Sequence, residues 1–312
     1  MLTRRRREPR DRRGLTAGPS QGNRGGDYCR RVGTEDLDER LAALDASLRA
    51  LGGVLVAFSG GADSAMLLAA AVRALGTERV AAATAVSASL AASELPAARA
   101  YAIALGVRHL VPGTAELDRP GYVANGPDRC FHCKATLVDT LRPLAEALGL
   151  ACVATGTNAD DAAAGFRPGI RAASERGAVT PLLDAGLTKA QVREASRRWG
   201  LVTADKPALA CLASRISYGV QVTPYRLARV DRAESALRGH LAKAGVAVID
   251  LRVRDLGEGA ARVELDAVAL AACDRAALAV VQAQGFAHVV AGPFRSGSLN
   301  DALRPAAAIQ TL

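Results

Sequence analysis

The stretch Val54-Leu55-Val56-Ala57-Phe58-Ser59-Gly60-Gly61-Ala62-Asp63-Ser64-Ala65-Met66-Leu67-Leu68 decides the fold. Residues 54–58 are an unbroken apolar run of strand length. A strand exposed on one face would alternate, so this one reads as buried on both faces of a parallel sheet. Ser59-Gly60-Gly61 turns the chain, since glycine reaches backbone angles closed to other residues. Residues 62–75 are rich in Ala and Leu and predict a helix, with Gly76 as its C-terminal stop. Strand, glycine turn and helix form one βα unit, whose helix start faces outward at the strand's carboxyl end.

Working outward, the same grammar repeats. Upstream, residues 36–51 predict a helix closed by Gly52-Gly53. Downstream, buried strands are predicted over 80–84, 107–111 and 151–155, with helices over 93–105 and 130–148 between them. Thr188 followed by Gln191 is a capping-box pattern that opens a helix running to Trp199 and stopping at Gly200. Alternating strands and helices predict an α/β fold: a parallel sheet with right-handed crossovers and helices on both faces. Ligands of such sheets sit at the carboxyl ends of the strands. The pattern changes after about residue 215. Thr223-Pro224 opens a helix to Leu237. Strands over 246–254, 261–265 and 286–290 and an Ala-rich helix over 267–284 then predict a smaller α+β domain. The expected organisation is a basic tail over 1–33, a nucleotide domain over 34–208 and a second domain over 209–312.

The chain has 312 residues, half of them apolar, enough for a sizeable core. No apolar run approaches the roughly 20 residues that span a bilayer. The start Met1-Leu2-Thr3-Arg4-Arg5-Arg6-Arg7 has no apolar stretch after it, so an export signal is not expected and a cytoplasmic location is. The net charge of +9 suggests nucleic acid until its distribution is read. Residues 1–33 hold ten arginines against Glu8, Asp11 and Asp27, which leaves only about +2 for the rest. The tail has no hydrophobic period and reads as disordered. A nearly neutral body does not predict a nucleic-acid partner.

In the turn after the first strand, Ser59, Gly60, Gly61, Asp63 and Ser64 have the makings of a phosphate cradle. Backbone N–H groups at a helix start point at an anion, the macrodipole favours its charge, and the two hydroxyls add donors. Asp63 beside phosphates requires a Mg²⁺ ion between them. The loop lacks the Gly-Lys-Ser/Thr of a Walker motif and the spacing of a dinucleotide fingerprint.

Six cysteines are present. Cys152 and Cys273 sit in apolar runs and read as small buried hydrophobes, and Cys29 lies in the tail. Asp128-Arg129-Cys130-Phe131-His132-Cys133-Lys134 carries a Cys-x-x-Cys core. That core suits a zinc half-site, a redox pair or two ligands of an iron–sulfur cluster. Cys211, in Lys206-Pro207-Ala208-Leu209-Ala210-Cys211-Leu212-Ala213-Ser214-Arg215, is flanked by cations that stabilise a thiolate. Ser214 and Arg215 beside it are candidates for holding phosphate. Arg252 and Arg254 are spaced i, i+2 on a strand and so face one side.

Together these segments resemble the LarE family of ATP-dependent sulfur transferases, within the ATP pyrophosphatase (PP-loop) superfamily. The likeness runs from about residue 41 to 300. It is carried by the 59–64 loop, Ser93-Glu94-Leu95-Pro96, the 129–134 segment, Thr155-Gly156-Thr157-Asn158-Ala159-Asp160-Asp161, Gly186-Leu187-Thr188-Lys189, the 205–215 segment and Arg295-Ser296-Gly297-Ser298-Leu299-Asn300. The resemblance implies that MgATP adenylates a carboxylate of a pyridinium dicarboxylate mononucleotide and releases pyrophosphate. Sulfur then displaces AMP to leave a thiocarboxylate, on the way to the nickel-pincer nucleotide of lactate racemase. It implies ATP contacts from the loop and from Thr84, Arg129 and Gly156. It places Cys211, Glu234, Arg252 and Arg254 at the catalytic site, and Ser214, Arg215 and Arg295 at the substrate and its phosphate. Single-cysteine members sacrifice the cysteine at the Cys211 position. Three-cysteine members hold a [4Fe-4S] cluster, and Cys130, Cys133 and Cys211 match that type. A homo-oligomer is expected. Two departures from the family pattern are Ser217 in place of proline and the Ala164-Gly165-Phe166-Arg167-Pro168-Gly169 stretch in place of a charged, tyrosine-bearing one. Two rival activities share the loop. An RNA thiolation enzyme asks for a basic body, and an ammonia-using amide synthetase asks for no cysteines.

Overall fold

A computed structural model of the chain describes residues 24–207, 210–295 and 297–299. The tail over 1–23, Ala208, Leu209, and Ser296 and Asn300 of the last motif lie outside the described residues.

The first half runs α1 (Arg24–Leu51), β1 (Val54–Ala57), α2 (Ala62–Leu75), β2 (Val80–Ala83), α3 (Glu94–Ala104), β3 (Arg108–Leu110), α4 (Pro120–Val123), α5 (Arg129–Ala147), β4 (Cys152–Thr155), α6 (Ala159–Ala163), α7 (Pro168–Ser174), α8 (Pro181–Asp184) and α9 (Lys189–Arg198). The four strands are parallel in the order β3-β2-β1-β4. Side chains alternate across the sheet, so helices cover both faces. Val54, Val56, Val80 and Ala82 join Leu44, Leu48 and Leu67 in one core. Leu55, Ala81, Ala83 and Val153 join Leu141 and Ala145 of α5 in the other. The expected α/β fold with a parallel sheet is therefore present.

The strand order positions the site. From β1 the chain moves to β2 and β3 on one side, then returns to place β4 on the other. The loops that leave β1, β2 and β4 line one crevice at the carboxyl edge.

The second half is α10 (Pro224–Lys243), β5 (Leu251–Gly257), β6 (Ala260–Leu265), α11 (Ala267–Ala271), α12 (Arg275–Gln282) and β7 (His288–Pro293). Its sheet is mixed: β5 pairs antiparallel with β6, and β6 parallel with β7. Leu227, Val230 and Leu237 of α10 pack on Val253 and Val263. The halves interlock, because Tyr122 of α4 is buried in this second core. Next to it the Asn125 amide donates to the carbonyls of Ser217 and Val220 at 2.8 and 2.7 Å.

Five elements differ from the sequence reading by two residues or more, among them β7, over His288–Pro293 rather than 286–290. The α1 backbone begins at Arg24 rather than 36, so residues 24–33, expected in a disordered tail, extend the helix, consistent with the low cost of adding a residue to a formed helix. β5 begins at Leu251 rather than 246, because the Asp266 carboxylate accepts the Ile249 and Asp250 N–H groups that a ladder would have used. The helix expected over 267–284 is two, divided where the Asp274 carboxylate caps the Ala277 N–H at 2.9 Å. α10 continues past Leu237 to Lys243, keeping Leu241 in the core.

Candidate active site

The crevice at the carboxyl edge is a cavity of about 310 Å³. Ser59, Gly61, Asp63 and Ser64 line it from the β1–α2 turn, Thr84 from the end of β2, and Thr155, Gly156 and Thr157 from the end of β4. Gly60 holds φ at +73°, where glycine avoids the strain other residues incur. Gly61 is the N-cap of α2, and no side chain caps that helix. The Gly61 N–H has a long contact to the Ser59 hydroxyl at 3.4 Å, and the next N–H groups lack a capping side chain, as an anion site needs. The Ser64 hydroxyl lies 3.1 Å from both the Gly61 carbonyl and the Ser59 hydroxyl, tying the turn together. Gly156 is a glycine for a close-approach reason. A Cβ there would stand 2.8 Å from the Ser64 nitrogen, so only glycine lets the β4 loop lie on the first turn of α2. Thr84 lines the cavity, but its hydroxyl donates inward to the Phe58 carbonyl at 2.7 Å and meets His109 Nε2 at 2.8 Å.

Asp63, expected beside magnesium, is held from two sides. Lys189 at the start of α9 closes an ion pair on Oδ2, and the Asn158 amide donates to Oδ1 at 3.3 Å. Asp161 lines the same cavity. Asp63 and Asp161 are thus the carboxylates on hand for a Mg²⁺ ion, whose preference is for oxygen ligands.

Helix α5 carries the site onward. Its first turns bear Cys130 and Cys133, and the next residue, Lys134, lines the cavity. Cys211 is exposed and opens a short helical turn over Leu212–Arg215. The Leu212 N–H binds the Ser89 carbonyl at 2.9 Å, and the Ser89 hydroxyl donates to Glu116 at 2.7 Å. Arg129, expected with ATP, is buried against this cysteine loop and does not line the cavity. It donates to the Ala213 carbonyl at 2.8 Å and to Asn125 at 2.6 Å.

The electrostatics place the three thiols in one neighbourhood. Burial first, and then the proximity of Cys211, pushes the Cys133 thiol up to about 12. Burial opposes the charge of Arg129, yet the nearby Cys211 and Cys130 hold its pKa above the ordinary value. The Tyr122 phenol is buried with no hydrogen-bond partner among the described residues. Burial first, then Cys211, raises its pKa. Among the described residues, no three His, Cys, Asp or Glu side chains gather closely enough to share one metal ion. A cubane cluster does not ask for that closeness, because each thiolate binds a different iron. Cys130 and Cys211 both act on Cys133, and that set of three thiols fits such a group.

Behind Cys211 lies a knot of arginines. Arg215 is 2 % exposed. It grips Glu234 through Nε and Nη2, and its Nη1 reaches the Ala210 carbonyl at 2.5 Å and the Ser214 hydroxyl at 3.1 Å. Arg254 pairs with Glu264 at 2.9 Å and donates to the Ser214 carbonyl at 2.6 Å. Arg252 lies over the Phe294 ring at 5.4 Å. Burial, followed by the repulsion of Arg215 and Arg254, lowers its pKa to about 10. The charges of Glu234 and Asp250 act on Arg252 in the opposite sense. Arg215, expected to grip phosphate, here spends its donors on the cysteine loop. Ser298 of the last motif bridges Arg254 and Glu264, which brings that motif to the knot.

Lys189 is not among the expected site residues, and Lys206, expected as a cation flanking Cys211, turns to the β1–α2 turn. Lys206 donates to the Gly60 carbonyl at 3.0 Å and pairs with Glu94 at 2.9 Å. The partners of the two lysines lie 126 and 146 residues away in sequence.

A cavity and a glycine-bearing turn at the carboxyl edge of a parallel sheet, adjoined by a cysteine loop, define an α/β protein whose candidate active site lies on its first sheet. No protein-family model matches the chain. It is 34% identical over 278 residues to pyridinium-3,5-bisthiocarboxylic acid mononucleotide synthase of Lactiplantibacillus plantarum, covering 86% of this chain and 97% of that one. The chain belongs to this family of enzymes, the LarE family. It is also 45% identical over 202 residues to an uncharacterized protein of Synechocystis, covering 65% of this chain and 75% of that one.

Proposed function

We propose that the chain adenylates a carboxylate of pyridinium-3,5-dicarboxylate mononucleotide with MgATP and converts it to a thiocarboxylate, in the making of a nickel-pincer nucleotide. The observation that carries this reading is adjacency. One helix, α5, joins the anion cavity, through Lys134, to the thiols, through Cys130 and Cys133. The activity named for the Lactiplantibacillus relative, a bisthiocarboxylic acid mononucleotide synthase, supports it as well.

The chemistry divides between the two regions. A substrate carboxylate oxygen attacks the α-phosphorus of ATP. The bond to the bridging oxygen of the β-phosphate breaks, and pyrophosphate leaves with the electron pair. The uncapped N–H groups of α2 accept that charge. Asp63 and Asp161 would hold the Mg²⁺ ion that screens the phosphates. A sulfur nucleophile then adds to the acyl carbon and AMP leaves with its electron pair, so the oxygen lost from the carboxylate departs on AMP. The arginine knot holds the substrate's anionic groups, and Arg129 steadies thiolates by its charge. Cys130, Cys133 and Cys211 would hold a [4Fe-4S] cluster, which supplies a transferable sulfide when bound.

The test is direct. Purified, anaerobic full-length protein with MgATP and the dicarboxylate mononucleotide should form AMP, pyrophosphate and a product in which sulfur replaces oxygen, read by chromatography and mass spectrometry. Absence of AMP above the enzyme-free blank overturns the reading. Turnover that requires ammonia, or that thiolates tRNA, transfers the protein to a rival activity of the same superfamily.

A further inference from the structure

The anion turn 59–61 has no lysine of its own, and a lysine from far along the chain attends it. Lys206 Nζ donates to the Gly60 carbonyl at 3.0 Å and is paired with Glu94 of α3 at 2.9 Å. Its backbone is anchored separately: Arg193 of α9 donates to the carbonyls of Ala204 and Lys206 at 2.8 and 2.9 Å. The ammonium is therefore aimed, and Lys206 does not line the cavity. In a trans peptide, C=O and N–H point in opposite directions. With the Gly60 carbonyl turned to Lys206, the Gly61 N–H is turned the other way, toward the Ser59 hydroxyl on the cavity wall.

We propose that Lys206 is a positioning residue for pyrophosphate: it locks the Gly60–Gly61 peptide with its N–H facing the anion and its carbonyl facing away. Glycines flank this peptide, and Gly60 already sits at φ +73°, so steric cost does little to stop the peptide from flipping. A flipped peptide would present a carbonyl oxygen to the phosphates. A cation on the far oxygen prevents the flip and polarises the peptide, making the N–H a stronger donor. Glu94 holds the ammonium in place without neutralising its contact. The inference rests on the function proposed above, since it assumes that pyrophosphate leaves into this turn.

The test is titration of full-length protein with magnesium pyrophosphate, by calorimetry and as product inhibition. Lys206→Met should weaken pyrophosphate binding by about tenfold, the scale of one charge-assisted hydrogen bond. Lys206→Arg, which still donates to a carbonyl, should stay within about threefold of wild type on the same scale. Glu94→Gln should also stay near wild type, because the ammonium keeps its carbonyl. A purely structural lysine–glutamate pair would instead make Lys206→Met and Glu94→Gln equally harmful. If Lys206→Met does not fold, Lys206→Gln, an uncharged donor, takes its place and should fall between Met and Arg. Unchanged pyrophosphate affinity in the methionine or glutamine variant overturns the inference alone. Failure of the wild type to bind pyrophosphate overturns the proposed function with it.

Discussion

Arg215 holds both oxygens of Glu234: Nε donates to Oε1 at 2.9 Å and Nη2 to Oε2 at 3.3 Å. Oε1 also accepts the Val253 N–H of β5 at 3.0 Å. One carboxylate thus joins the second core, the central arginine and, through Arg215 Nη1, the backbone of Ala210 and Cys211. Glu234→Ala strands a nearly fully buried guanidinium. It should cost about 3 kcal/mol of stability, as broken buried pairs do. Glu234→Gln keeps an acceptor for Val253 and should cost less, about 1–2 kcal/mol. Urea unfolding monitored by circular dichroism reads both. Equal midpoints for wild type and Glu234→Ala would show that the pair does not support the loop.

Cys133 should be the slow thiol. Thiolates, not thiols, react with alkylating agents, and burial beside Cys211 pushes Cys133 from its ordinary 9.0 to about 12. At pH 8, peptide mapping after a short iodoacetamide pulse should find Cys133 less labelled than exposed Cys130 and Cys211. Its labelling rate should keep climbing above pH 9. The same shift has a stability consequence. A pKa raised by folding gives a contribution that is whole below pH 9 and is lost as pH rises toward 12. Alkaline unfolding should therefore be delayed in Cys133→Ala relative to wild type. A Cys133 that labels as fast as Cys130 at pH 8 contradicts this picture.

Gly156→Ala tests the seam between β4 and α2. The added Cβ would lie 2.8 Å from the Ser64 nitrogen and 3.0 Å from the Asp63 carbonyl carbon, both backbone atoms that cannot swing aside. The first turn of α2 must move, so the expected cost is about 1–3 kcal/mol of stability. ATP affinity should fall as well, by about tenfold for one lost hydrogen bond to a charged group. A thermal melt and a nucleotide titration report the two effects separately. A variant with unchanged nucleotide affinity would place the anion elsewhere.

Lys189→Met should sharpen the need for magnesium. Lys189 is the cation that partners Asp63 in the structure, and Asn158 supplies only a neutral donor. Without the lysine, a bare carboxylate faces the incoming phosphates. ATP binding should weaken by about tenfold at low magnesium, from one lost ion pair near the site. High magnesium should restore much of it. A loss that magnesium does not relieve would assign Lys189 to the phosphates instead.

The parallel sheet was legible because Val54 to Ala57 and the strands like it are short apolar runs bounded by glycine turns. The anion turn was legible because its glycines and hydroxyls are contiguous. What could not be read is whatever depends on chain closure. Lys206 reaches Gly60, and Arg129 reaches Ala213 rather than the cavity, across long separations that no local pattern encodes. The short strand and helix starts in the second half were misplaced for a related reason. The carboxylates of Asp266 and Asp274 compete with the backbone for N–H groups, and hydrophobic period is blind to that contest.

Cys211→Ala should divide the reaction in two. The anion turn and its cavity lie on the first sheet, while Cys211 stands on the loop held by Arg215 and Arg129. If adenylation belongs to the cavity and sulfur delivery to the thiols, the variant should still convert ATP to AMP and pyrophosphate with substrate present. Its acyl adenylate would then be lost to water, regenerating the carboxylate. Thiocarboxylate should fall to background, because removing the nucleophile or ligand leaves no sulfur to transfer. Cys130→Ala and Cys133→Ala separate the two sources of sulfur. If a cluster supplies it, both variants should lose thiocarboxylate along with iron and labile sulfide in anaerobic protein, and wild-type Cys211 should keep its mass through turnover. If Cys211 itself is consumed, both variants should complete one turnover, and Cys211 should lose the mass of hydrogen sulfide. Loss of AMP formation in Cys211→Ala would mean that the thiol takes part in adenylation, and the division of labour between the two regions would not stand.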